Sequence, residues 1–218
     1  MTPRDLDAIL QAEYPLLVVG QMAEFVPLTT PGSRMLLTAD GLKLEAHNGM
    51  THAITSLARL KSTLSLPYGT VADCCEIVCQ RTANQVAQWI REFVEHARKA
   101  CPNETMMLVT QLPGQEPTCK YPSFNESGAH LNYQPDLQEG EQILLDVHSH
   151  GLFGAGFSMT DNKDDSTFRG DLKWCYVIGS LDKPTMTIVS RWVARGHIFL
   201  QTNNQPAKQG ETNAYASV

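Results

Sequence analysis

No part of this 218-residue chain concentrates positive charge. Lys and Arg total 17 against 23 Asp and Glu, the formal net charge is −6, and the basic residues are scattered. A nucleic-acid groove needs clustered cations, so that class of partner is excluded. Apolar runs of membrane-spanning length are also missing, and the opening MTPRDLDAIL lacks the pattern of a secretion signal. A cytoplasmic protein without membrane attachment is therefore expected. The six cysteines, at 74, 75, 79, 101, 119 and 175, form no C-x-x-C pair, which argues against a structural zinc knuckle. They are expected to be reduced and partly packed among apolar neighbours. Cys101 lies close to Glu104 but has no apparent partner base, so packing is its reading as well. No internal repeat is present.

What the chain does have is HSHGLFGAGFSMTD, which is H-x-H-x(7)-S-x(2)-D over His148, His150, Ser158 and Asp161. The preceding run Ile143 to Val147 reads as a buried strand. Strand side chains alternate faces, so His148 and His150 point the same way and can chelate one metal. Asp161 adds an oxygen. Three protein ligands leave one position of a four-coordinate zinc open for a water that the metal acidifies. Ser158 stands one helical turn before Asp161, beside that water. S-x-x-D is also an N-cap signature, and a helix starting at Ser158 would aim Asp161 back at the metal.

Other metal sites fit less well. Counting an EF-hand loop from Asp161 places Lys163 at the third position and Ser166 at the sixth, where Asp or Asn and then Gly are required. A deaminase needs H-x-E with P-C-x-x-C, and neither occurs. A hydrolytic zinc site also needs a proton acceptor. Glu104, in ACPNETMMLV, opens a second apolar strand and is the candidate. Before it, Val86, Trp89, Ile90, Phe93 and Ala97 recur at helical spacing, so a helix is expected over Thr82 to Ala100. Thr82 with Gln85 would form its capping box, and Pro102 would end it.

Helix, then P-x-E, then strand, then H-x-H-x(7)-S-x(2)-D resembles the JAMM (MPN-plus, Mov34/PAD-1) metalloproteases. The residues that carry the resemblance are Pro102, Glu104, His148, His150, Ser158 and Asp161, and it covers roughly Glu76 to Leu200. It implies an α/β (α+β) fold with a cytidine-deaminase-like three-layer core. It further implies zinc on His148, His150 and Asp161, Glu104 as general base and then acid, and Ser158 stabilising the tetrahedral intermediate. The family usually has Pro after the second His, whereas this chain has Gly151, which puts the rigidity of that loop in question. The phrase FSMTD, the N-terminal extension and the length look most like a prokaryotic group, the PRTRC system A proteins. That narrower resemblance implies a ubiquitin-like protein as substrate and a ThiF-like (E1-like) activating enzyme as associate. A member that has lost catalysis and serves as a scaffold typically lacks a ligand or the glutamate; here all are present.

Residues 1–74 read as a separate β-rich or α+β domain without a legible role, residues 75–202 as the JAMM domain, and residues 203–218 as a disordered tail. MLLTADGLKLEAH is expected to be a hairpin around Asp40-Gly41, with Leu42, Leu44 and Ala46 alternating against Lys43, Glu45 and His47. His47 and His52 lack metal spacing and read as surface or satisfied residues. The polar stretch Gly114 to Glu141 is expected to be an excursion near the catalytic strand, with a strand at Ala129 to Tyr133. DNKDDSTFRGD should be a short solvated helix, and strands are expected at Trp174 to Ile178, Met186 to Val193 and His197 to Leu200.

Overall fold

The computed structural model describes residues 3–62, 64–122 and 136–204. It is mixed α+β and divides into two compact units, Met1–Val78 and Cys79–Val218. No helix among the described residues is long and apolar enough to cross a membrane.

The first unit opens with α1 (Pro3–Glu13), which sequence periodicity did not reveal; proline at the first helical position and Asp5 in the first turn suit a helix start. Its five-stranded sheet runs β1 (Leu16–Val18), β2 (Gly32–Thr38), β3 (Gly41–His47), β4 (Thr51–Arg59), β5 (Cys74–Ile77) in spatial order. The β2–β3 hairpin turns at Asp40-Gly41 as expected. Gly41 is required there: a Cβ would lie 1.9 Å from the carbonyl oxygen of Ala58, and its φ is +146°.

The polar side of this alternation, Lys43, Glu45 and His47, does not face solvent. All three are buried, at 4%, 0% and 5% exposure. Alternation holds, but chain segments cover the polar face and use its charges as hydrogen-bond partners. Leu28 N and Arg34 Nε donate to the two oxygens of Glu45 at 2.7 and 2.5 Å, and Lys43 Nζ donates to Val71 O at 2.5 Å. His52 Nε2 lies 3.0 Å from Glu45 Oε1, and His47 Nδ1 accepts from Gly49 N, so both histidines are satisfied.

The second unit contains α2 (Gln80–Ala100), β6 (Met106–Gln111), β7 (Thr118–Lys120), β8 (Gln142–Ser149), α3 (Met159–Thr167), β9 (Lys173–Gly179), β10 (Thr187–Ala194) and β11 (His197–Asn204). Its sheet has the order β11-β10-β9-β8-β6-β7, with β8 and β9 parallel and the other pairs antiparallel. The expected apolar stripe of α2, extended by Val94, is buried, and the helix packs on β8. Its start differs: the N-cap is Cys79, without a side-chain cap bond, and Thr82 lies inside the first turn, so the Thr82–Gln85 box does not form. Pro102, which has no N–H to donate, follows the C-cap Cys101.

Within the polar excursion, β7 pairs with β6, a strand the sequence did not suggest. The strand expected at residues 129–133 lies outside the described residues. β11 runs through Asn204, so the segment expected to be disordered begins with two strand residues. The acidic helix α3 is not simply solvated: Asp165 is only 4% exposed.

Candidate metal centre

Main-chain pairing brings Glu104 and the histidine strand together. β6 and β8 pair with Met106 opposite His148. Just before this pair, Ser149 N donates to Thr105 O at 2.9 Å and Thr105 N donates to Ser149 Oγ at 3.0 Å. Glu104 is therefore held beside the strand that carries the histidines. Ser149, the middle residue of H-x-H, is fully buried and anchors this junction. Sequence reading passed over it, although a serine facing the core from a buried strand was a signal.

The loop after His150 is pinned by its backbone. His150 N donates to Ile178 O, Phe153 N to His150 O, Ser180 N to Phe153 O and Leu181 N to Gly151 O, at 2.6 to 3.0 Å. Ala155 N donates to Thr187 Oγ1 at 2.8 Å. Gly151 has φ +54°, and a Cβ there would lie 2.4 Å from Pro102 O. Proline is locked near φ −65° and cannot adopt this turn. The departure from the family pattern thus goes with a different loop, fixed by hydrogen bonds instead of a ring.

Ser158 caps α3. Its Oγ accepts from Asp161 N at 3.2 Å, and Asp161 Oδ2 accepts from Ser158 N at 2.6 Å. This reciprocal pair fixes one carboxylate oxygen and leaves Oδ1 3.5 Å from His148 Nε2. The rings of His148 and His150 are 5.2 Å apart, and one ligand atom from each of His148, His150 and Asp161 falls within 4.8 Å of the others. His148 Nε2 is buried, and the Asp161 contact is too long to count as a hydrogen bond; it has no hydrogen-bond partner among the described residues. A buried orphan nitrogen is costly unless something binds its lone pair, and a metal ion fits. These three side chains could hold one.

The charges agree. Burial works against protonation of His148, but the Asp161 carboxylate, helped by Asp146 and Glu104, outweighs it and raises the pKa. Burial and the neighbouring His148 lower that of His150. Burial would raise Asp161, yet the His148 ring and the Ser158 donors hold its carboxyl well below the usual range. Glu104 and Ser158 line the same cleft, of about 190 Å³, as the three candidate ligands. None of the described residues of the 114–141 excursion lines it.

The floor of this cleft holds a charge cluster that sequence reading missed. Lys173 Nζ lies 2.6 Å from Asp165 Oδ1 and 3.2 Å from Asp146 Oδ2. Arg191 Nε donates to Asp165 Oδ2 at 2.8 Å. Asp146, Asp165 and Cys175 also bring ligand atoms within 4.8 Å of one another, but the Lys173 ammonium already serves the two carboxylates. Burial pushes the Cys175 thiol far up, so it stays neutral and a poor ligand. The signal available in the sequence was a Lys in KWCYVIG and an Arg in TIVSRWVA, two cations inside otherwise apolar strands.

Comparison with known proteins gives the family. A search of curated proteins finds no match. Among solved structures, the solution structure of protein DSY2949 from Desulfitobacterium hafniense is similar at 21% identity, over 51% of this chain and 84% of that one, with a TM-score of 0.35. Residues 4–78 match a domain of unknown function, DUF2016. Residues 86–194, half of the chain, match the prokaryotic homologs of the JAB domain, a class that includes hydrolases and inactive members. The chain belongs to the prokaryotic homologs of the JAB domain.

Proposed function

We propose that this protein is a zinc-dependent metalloprotease of the JAMM type that hydrolyses a peptide or isopeptide bond at the C-terminal tail of a ubiquitin-like protein. The observation that carries the reading is the orphan Nε2 of His148, set against His150 and Asp161 in a cleft that also contains Glu104. His148, His150 and Asp161 would hold the zinc. When bound, zinc supplies Lewis acidity: it makes a water a better nucleophile and a carbonyl a better electrophile.

The chain's own groups perform the proton transfers. The Glu104 carboxylate accepts a proton from the attacking water and returns it to the nitrogen of the departing amine. Ser158 Oγ lines the same cleft, and its O–H turns from the Asp161 carboxylate to donate to the oxygen of the tetrahedral intermediate. The bonds through Thr105 and Ser149 set Glu104 beside the histidine strand, and Glu104 and both histidines line one cleft, which supports this role. An extended tail of small residues suits such a centre, since glycine allows close backbone approach. The resemblance to PRTRC system A proteins supports a ubiquitin-like substrate and a ThiF-like partner.

Glu104→Gln is the decisive variant. It is expected to keep zinc and fold while losing about a hundredfold or more in turnover, the usual scale for a proton shuttle. Turnover is read on a fluorogenic panel of tails attached to ubiquitin-like domains and on the same short peptides alone. Undiminished turnover in Glu104→Gln would remove the glutamate from the mechanism. Absence of cleavage across the panel by zinc-loaded wild type would favour a non-catalytic scaffold.

A further inference from the structure

The helix that carries Ser158 and Asp161 has almost nothing apolar to hold it in place. Only one residue of α3 is buried, and it is an acid, Asp165. Hydrophobic burial ordinarily fixes a helix of this length against a sheet. Here the work falls to charges, and Arg191 on β10 stands at their centre. It is 2% exposed, so its guanidinium is committed to protein partners. Nε donates to Asp165 Oδ2 at 2.8 Å, and Nη1 donates to Asn162 Oδ1 at 2.5 Å. The guanidinium carbon lies 3.7 Å from the centroid of the Phe157 ring.

Phe157 immediately precedes Ser158, and Asn162 immediately follows Asp161. Asp165 lies one turn beyond Asp161 on the same side of the helix. One side chain therefore grips the segment on both sides of the capping pair. Lys173 takes the other oxygen of Asp165, so a second cation fixes the rotation of that carboxylate. Arg191 lies opposite Cys175 of β9, and β9 in turn pairs with β8 and its histidines.

We propose that Arg191 is a positioning residue: its guanidinium sets the first turn of α3 so that Asp161 and Ser158 meet His148 and His150, without itself touching metal or substrate. The proposal rests on the metal-binding part of the function proposed above. A lysine at this position keeps the charge but loses the planar fork that reaches Asn162 and Asp165 together.

The test uses the full-length protein and its Arg191→Lys, Asn162→Ala and Asp161→Asn variants. Zinc affinity is measured by competition with a chromophoric chelator. In the zinc-free protein, amide exchange is followed at Asp161 and Asn162, whose N–H groups donate to Ser158 Oγ and Ser158 O. Arg191→Lys is expected to weaken zinc binding by about tenfold or more, the usual scale for groups that orient metal ligands. It should also expose the Asp161 and Asn162 amides while those of α2 remain protected. Asn162→Ala should show a smaller loss of the same kind. In the Asp161→Asn background, Arg191→Lys should cost no further affinity.

Wild-type affinity in a folded Arg191→Lys protein would overturn the proposal. So would an undiminished loss in the Asp161→Asn background, because Arg191 would then act on the fold at large. If Arg191→Lys does not fold, Asn162→Ala decides, and unchanged affinity there overturns the proposal. If wild type binds no zinc, the metal reading fails by itself. The amide exchange of the zinc-free proteins then judges Arg191, with retained protection at Asp161 and Asn162 counting against it.

Discussion

The two helices α2 and α3 hold to the same unit by opposite means. α2 buries six apolar side chains along one stripe, whereas α3 buries a single aspartate served by a lysine and an arginine. An apolar stripe is tolerant: it needs volume and periodicity, not angles. A charge-docked helix is exacting, because a buried carboxylate without its cations is strongly destabilising. It is the exacting helix that carries Ser158 and Asp161, where a displacement of one ångström would matter.

The comparison can be sharpened from the tolerant side first. Phe93→Ala removes a fully buried ring from the α2 stripe and should cost about 3–5 kcal/mol in urea unfolding. The fraction that remains folded should bind zinc as wild type does. A zinc affinity that falls in step with stability would mean that the two helices are not separable in this way. Ser158→Ala addresses the other helix. Loss of its capping oxygen should cost about 1 kcal/mol, read by denaturant melts of the zinc-free protein. Asp161 Oδ2 still accepts from the backbone N–H of residue 158 in that variant, so zinc should be retained at full stoichiometry. The smallest effect is expected at Gln85→Ala. Because α2 is capped from Cys79, the change should lie within about 0.5 kcal/mol in the same melts. A loss near 1 kcal/mol would restore the Thr82 capping box.

The same contrast explains what the sequence disclosed. The stripe of α2 and the strands β6, β8, β9 and β10 were legible because apolar periodicity reports burial directly. The grouping of His148, His150 and Asp161 was legible because a strand and a capped helix are local geometries, and their period places side chains without tertiary knowledge. Asp165, Lys173 and Arg191 were not legible, since a charged residue in a polar helix or at a strand position gives no sign of its partner across the fold. The burial of Lys43 and Glu45 was hidden for the same reason: alternation assigns them to a face, but only the covering segments decide whether that face meets water. The N-cap of α2 was misplaced because Cys79 offers no capping signature.

The loop between His150 and Ser158 presents Phe153 at 76% exposure, with Leu152 beside it at 47%. An aromatic side chain so displayed on a surface loop would ordinarily invite digestion by proteases that select aromatic residues. Proteolysis, however, requires the backbone to be drawn out into an extended strand in the attacker's groove. Here the Phe153 N–H and C=O are both engaged with His150 and Ser180, and Ala155 is tied to Thr187. The side chain is on offer while the bond beside it is not, and this geometry gives the loop a resistance to digestion that its surface composition would not suggest.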